Sequence, residues 1–149
     1  MSVNQCYARG ENLTVAAPIA ANSGVGPISG DPLMLGYTAG YTGRIACVAE
    51  TSYTPPGSLT ATGNIAVKDV GVYFLSVTAK TSLSPSSSAA MHPGDRVYAD
   101  GGTLDTTTGI LYGFTLDGNS TTGVYFGNTL DAVTSGATAV VRVRLKVAG

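Results

Sequence analysis

The sequence predicts an all-β protein, a single-domain β-barrel or jelly-roll-like sandwich of about nine short strands with little or no helix. Three observations carry this reading. Apolar and polar residues alternate in period two from end to end, clusters of Gly, Pro, Asp and Asn punctuate the chain at short intervals, and no segment offers three capped turns of helical periodicity. At 149 residues the chain can bury one core without a disulfide or metal staple.

The first strand is expected at Asn12 to Ala16, following a polar N-terminal segment. Ala16 to Gly30, rich in Ala, Gly and Pro, separates this piece from the main run of strands. Asp31-Pro32 then opens a strand over Pro32 to Tyr37, followed by strands at Arg44 to Glu50 and, beyond the Pro55-Pro56-Gly57 turn, at Gly63 to Lys68. The strand at Val72 to Lys80 begins Val-Tyr-Phe-Leu, apolar on both faces, so it belongs inside a sheet with core or another subunit on each side. Thr81 to Ala90 is a Ser-rich loop too poor in bulky side chains to pack. Pro93-Gly94-Asp95 leads into a strand at Asp95 to Ala99, and Asp100-Gly101-Gly102 ends it. Strands follow at Ile110 to Leu116 and, after a hairpin around Asp117 to Thr122, at Gly123 to Phe126.

The clearest strand is the last, Val140 to Val147. Val141, Val143, Leu145 and Val147 fall on one face and Arg142, Arg144 and Lys146 on the other, the pattern of a half-buried strand. No internal repeat and no inter-domain linker is visible in the sequence. Residues 1–149 therefore read as one domain, with 1–11 a candidate N-terminal arm.

Composition narrows the function classes. Charged residues make up 11% of the chain and the formal net charge is −1, with a pI near 5.6, so no field steers it to nucleic acid or an anionic membrane. So neutral a surface favours self-association, and a homo-oligomer or assembled particle is expected. Met1 to Cys6 lacks the basic flank and apolar run of a signal peptide, and no stretch reaches 18 uninterrupted apolar residues, so a soluble protein made in a cytoplasm is expected. Cys6 and Cys47 have neither metal-ligand nor redox spacing and read as two free, partly buried thiols rather than a disulfide.

No catalytic constellation emerges, and no cofactor or metal site is expected. His92 is the only histidine and precedes a Pro-Gly-Asp turn, while the nearby serines lie in a tract that cannot hold a nucleophile, so a turn residue is favoured over a catalytic base. Asp100, Asp105, Asp117 and Asp131 lack calcium-loop spacing, and each stands where Asp commonly starts a turn. Asn12-Leu13-Thr14 and Asn119-Ser120-Thr121 match glycosylation acceptors but have no secretion signal beside them. The Arg142, Arg144, Lys146 stripe lacks interleaved stacking aromatics, which favours a solvated or partner-contact face over phosphate binding. Eight tyrosines, with no Trp, supply amphipathic surface suited to protein interfaces.

The order of segments resembles the small capsid cement, or head decoration, proteins of tailed phages. The blocks are Tyr7-Ala8-Arg9-Gly10-Glu11-Asn12-Leu13-Thr14-Val15, Ser29-Gly30-Asp31-Pro32-Leu33-Met34-Leu35-Gly36, Gly71-Val72-Tyr73-Phe74-Leu75, Pro93-Gly94-Asp95-Arg96-Val97-Tyr98, Gly127-Asn128-Thr129-Leu130 and Val140 to Leu145. Each is a short turn-plus-strand pattern, and their order over nearly the whole chain carries the likeness. The Thr81 to Ala90 loop and the Asp117 to Thr122 hairpin depart from shorter relatives. The resemblance implies a non-enzymatic virion protein on the outer surface of an icosahedral bacteriophage capsid, assembled in the host cytoplasm. Its partners would be the major capsid protein and itself, as a homotrimer or homodimer, with no nucleic acid and no membrane. Capsid or subunit contacts are expected from Val3, Asn4, Gln5, Tyr7 and Arg9 of the arm and from Arg142 and Arg144 of the last strand. A carbohydrate-binding or adhesive β-sandwich is the alternative, although such modules usually present exposed Trp.

Overall fold

Eleven strands account for all regular structure in the computed structural model, which describes residues 13–16, 27–36, 45–51, 64–79, 89–106, 108–118 and 123–146. They are β1 (Leu13–Ala16), β2 (Pro32–Leu35), β3 (Ile45–Ala49), β4 (Asn64–Lys68), β5 (Val72–Thr78), β6 (Arg96–Asp100), β7 (Thr103–Asp105), β8 (Ile110–Tyr112), β9 (Thr115–Asp117), β10 (Val124–Thr129) and β11 (Thr138–Leu145). The all-β prediction holds, and no described residue is helical.

Each of the nine expected strands overlaps an observed one, with ends that differ by up to three residues, as where β10 runs on to Thr129 and β11 spans Thr138–Leu145, and two further differences lie at glycines. Ile110 to Leu116 holds two strands because Gly113 adopts a φ of 67°, a left-handed conformation that ends β8 before β9 begins in another sheet. β7 was not expected: it is three residues long and follows directly on Gly101 and Gly102, whose φ values of 71° and 89° mark a turn. β9 pairs with β5 and β6 rather than with β10, so these strands do not form the hairpin pair expected around Asp117 to Thr122, whose residues 119–122 lie outside the described ones.

The strands fall into two units. The first contains β1 to β4, β7 and β8 in an antiparallel sheet of order β1-β4-β3-β2-β8-β7. Leu33, Leu35, Cys47, Ala49, Ile65, Val67 and Ile110 form its core cluster, with Ile45 and Tyr112 packed against it. Met34, Ala46 and Val48, which alternate with these residues on β2 and β3, are buried as well, so this part of the sheet is apolar on both faces.

The second unit, 72–102 and 114–146, closes into a five-stranded barrel of order β10-β11-β5-β9-β6. Closure comes from β9, which runs antiparallel to β6 and parallel to β5 through the pairs Val77↔Leu116 and Thr78↔Asp117. Val77, Val97, Phe126 and Val143 are fully buried in this unit, with Leu75, Ala99, Leu116, Val141 and Leu145 nearly so. In β11 the predicted face assignment is observed for Val141, Val143 and Leu145, which are buried, and for Arg142 and Arg144, which are exposed; Lys146 is half-buried and Val147 lies outside the described residues.

The two units repeat one architecture, which the sequence did not reveal. In each, a turn with glycine third and aspartate fourth precedes a strand: Ile28-Ser29-Gly30-Asp31 before β2 and His92-Pro93-Gly94-Asp95 before β6. Gly30 and Gly94 have φ values of 97° and 98°, and Asp31 and Asp95 donate their N–H groups to Ile28 O and His92 O at 3.0 Å, the arrangement of a type II turn. The Asp31 and Asp95 carboxylates then accept the N–H groups of Ile28 and His92 at 3.0 and 2.9 Å.

The correspondence extends through the sheets. Gly30 N–H donates to Ala49 O and Ala49 N–H to Asp31 O, just as Gly94 N–H donates to Thr129 O and Thr129 N–H to Asp95 O. Glu50 N–H donates to Ala66 O and Leu130 N–H to Arg142 O, both at 2.8 Å. Even the side-chain acceptors match, with Thr51 Oγ1 taking the Ala66 N–H and Asp131 Oδ2 the Arg142 N–H. Thus β1, β2, β3, β4 and β8 correspond to β5, β6, β10, β11 and β9, in the same sheet order and register.

One local difference shapes the second unit. Between Tyr125 and Gly127 the β10–β6 register shifts by one residue, a bulge that inserts Phe126. Phe126 is fully buried and meets Phe114 edge to face, with ring centroids 5.7 Å apart.

Candidate functional site

The residues expected to carry function do not converge on a reaction centre. His92 occupies the first position of its turn with an exposed side chain; Asp95 Oδ2 accepts its backbone N–H at 2.9 Å, while the ring Nδ1 lies 3.9 Å from the same oxygen. Asp95→Ala is therefore expected to cost about 1 kcal/mol through the lost charged acceptor, and His92→Ala less than half of that. Paired urea titrations check this, and a larger loss for His92→Ala would contradict the turn assignment.

The four aspartates weighed as calcium ligands go separate ways. Asp105 is buried, with Oδ1 accepting the Thr108 N–H at 3.3 Å, while Asp100 ends β6 and Asp117 ends β9. Among the described residues no three of His, Cys, Asp and Glu come together as a metal site. Cys47 lies fully buried in β3 and its thiol donates to Leu33 O at 3.6 Å. Burial, followed by the charge of Asp69, pushes its pKa up to about 12, so it is an inert core thiol, more deeply buried than expected. Cys6 and the expected contact residues Val3, Asn4, Gln5, Tyr7 and Arg9 lie outside the described residues, as does the Ser-rich loop except for the exposed Ala89 and Ala90.

Arg142 and Arg144, expected together as partner contacts, have different surroundings. Arg142 is engaged within its own chain: Nη2 lies 2.6 Å from Asp131 Oδ1, and Nε lies 3.1 Å from both carboxylate oxygens. With the Arg142 backbone N–H at 2.8 Å from Oδ2, Asp131 clamps both the main chain and the side chain of β11. Arg142→Ala should therefore lower the urea midpoint more than Arg144→Ala does.

The Arg142 side-chain hydrogen bonds, then its backbone hydrogen bond and its charge, lower the Asp131 pKa from 3.8 to about 2. A carboxylate that is more acidic folded than unfolded adds stability that is complete above the unfolded value and is lost as pH falls through the folded one. Stability from this clamp should decline from about pH 4 to about pH 2 in the parent, and Asp131→Asn should remove that part of the acid limb. Urea midpoints measured across this range test it, and an unchanged acid limb in Asp131→Asn would refute the assignment.

The remaining surface feature is the outer face of β5, β11, β10 and β6. Register pairing aligns Val72, Arg144, Asn128 and Arg96 in one row across the four strands. On one side of this row Tyr125 and Tyr98 pack edge to face with centroids 6.1 Å apart. Arg96 Cζ and Lys146 Nζ lie 5.4 and 5.9 Å from the Tyr125 ring centroid. The Tyr125 hydroxyl donates to Asn128 Oδ1, and Asn128 Nδ2 donates to Gly94 O at 2.8 Å, so the ring is anchored to the turn. On the other side of the row stand Phe74, 73% exposed, and Val140, 68% exposed, beside Val72 at 48%. Sequence reasoning found Arg144, the two-faced start of β5 and, among the eight tyrosines, Tyr98 and Tyr125, but missed Arg96 and the grouping of these residues, which only the barrel pairing brings together.

In comparisons with protein-family models, curated proteins and solved structures, nothing matches the chain.

Proposed function

We propose that this is a structural virion protein that binds the outer surface of an expanded icosahedral phage capsid and holds neighbouring shell subunits against the pressure of packaged DNA. The observation that carries the reading is the ordered set of sequence blocks from Tyr7 to Leu145 that resembles capsid cement proteins. Supporting it are the sparsely charged composition and a broad sheet face with exposed Val72, Phe74 and Val140. Such a face suits flat, repeated contacts, and many weak contacts on a lattice add by multivalency. Its partners are the major capsid protein and further copies of itself, and its role involves no catalysis or cofactor.

The test is co-sedimentation and electron microscopy of the purified chain with expanded capsids assembled from the major capsid protein of the same genome. Saturable binding at repeated lattice positions, with a raised capsid melting temperature, is the expected result. No association with expanded capsids, or glycan binding in its place, would reject the reading in favour of an adhesive module.

A further inference from the structure

The repeat allows the two units to be compared position by position on the face opposite their cores. In the first unit Met34, Ala46 and Val48 occupy that face and are buried, at 0%, 0% and 5% exposure. Their counterparts by register in the second unit are Tyr98, Tyr125 and Asn128, all half-buried. Pro32 and Ala66 likewise correspond to Arg96 and Arg142. One architecture thus carries a neutral aliphatic face closed to solvent in one copy and an aromatic, cationic face open to solvent in the other. Apolar side chains accompany these cations. Val72 pairs with Arg144 and Phe74 with Arg142 across β5 and β11, and Val140 lies one step further along β11.

We propose that this outer face of β5, β11, β10 and β6 docks an acidic protein surface that also contributes aliphatic side chains. Charge selects the sign of the partner. Asp131 neutralises Arg142, Asp100 stands at the far end of β6 beyond Tyr98, and among the described residues no carboxylate pairs with Arg96, Arg144 or Lys146, so the row through Arg96 and Arg144 is cationic on a chain whose net charge is −1. The apolar residues select the class of partner. Val72, Val140 and Phe74 gain from burial against aliphatic groups, whereas phosphates offer them nothing. Tyr125, the aromatic nearest the cations, already carries Arg96 and Lys146 over its ring and so is not a platform for a nucleic-acid base. A second copy docking by a two-fold axis through this face would set cations against cations. Anchored Tyr125 and Tyr98 hold the row in place, so little side-chain freedom is lost on docking.

The inference does not depend on the partner being a capsid, and its test uses no capsids. The isotope-labelled full chain is titrated with a blocked octapeptide of alternating Glu and Leu, with the matching Lys and Leu peptide, and with a single-stranded oligothymidylate. The Glu–Leu peptide should shift the backbone amides of Val72, Phe74, Arg96 and Arg144, and its affinity should fall roughly tenfold as salt rises from about 0.05 to 0.5 M. The Lys–Leu peptide and the oligothymidylate should leave those amides unmoved. Arg96→Glu with Arg144→Glu should abolish the shifts, and Phe74→Ser should weaken binding roughly fivefold, the loss of one buried aromatic contact. Shifts elsewhere on the chain, equal response to either peptide, or tighter binding of oligothymidylate would overturn the proposal. So would sedimentation of the chain alone as a dimer that Phe74→Ser dissociates, since the face would then be covered by its own copy. The peptide-sign comparison on the parent chain keeps the test decisive if a variant fails to fold.

Discussion

Phe126→Ala is expected to cost about 3–5 kcal/mol, a large part of the stability of a chain this size. The side chain is fully buried, and it reaches the interior only because the bulge between Tyr125 and Gly127 inserts an extra residue into β10. A barrel of five strands has little interior to redistribute. Removing the ring therefore leaves a cavity against Phe114 that other buried residues of the barrel can fill only by moving their own strands. Phe126→Leu, which keeps most of the volume, should cost about half as much. Urea unfolding followed by far-UV circular dichroism measures both, and a loss below about 1 kcal/mol for the alanine variant would show that the interior repacks freely.

Alternation was the legible part of this fold because burial in a sheet acts on every second residue. Val141, Val143 and Leu145 against Arg142 and Arg144 could be read directly, and burial follows that pattern. The repeat was not legible, because the sheet constrains backbone pairing and leaves the outward residues free. Ile65-Ala66-Val67 and Val141-Arg142-Val143 share only the apolar character of their inward residues, and the chain between β6 and β10 carries β7, β8 and β9 where that between β2 and β3 carries no described strand. The Gly-Asp pairs at 30–31 and 94–95 are its visible trace, but a shared dipeptide in two turn segments does not by itself mark a repeat.

The candidate face was half legible for a related reason. Val72 and Phe74 advertised a second apolar face of β5, and Arg144 an outward cation. Arg96 and Tyr125 lie far apart in sequence and meet only through antiparallel pairing of β6 with β10. No local pattern encodes that neighbour relation. The Arg142–Asp131 clamp was hidden in the same way, and it turns a residue read as a partner contact into one engaged by its own chain.

Gly127→Ala is expected to destabilise the second unit by about 3 kcal/mol or more, at the upper end of the cost of overpacking. A Cβ built on Gly127 would lie 2.2 Å from Arg144 O and 3.1 Å from the carbonyl carbon, so the obstacle is the backbone of β11 and no rotamer change relieves it. To admit a methyl group, β10 and β11 would have to separate at the Gly127↔Leu145 pair, beside the bulge that positions Phe126. The corresponding position in the first unit is Cys47, where the β3 register runs on without a shift and a side chain fits in the core. The constraint thus arises from the bulge rather than from the shared architecture. Gly113 supplies the contrast: its φ is 67° but a Cβ there meets nothing within 4 Å, so Gly113→Asn should cost no more than about 1 kcal/mol. If Gly127→Ala unfolds in urea within about 0.5 kcal/mol of the parent, the close approach of β10 and β11 does not limit this barrel.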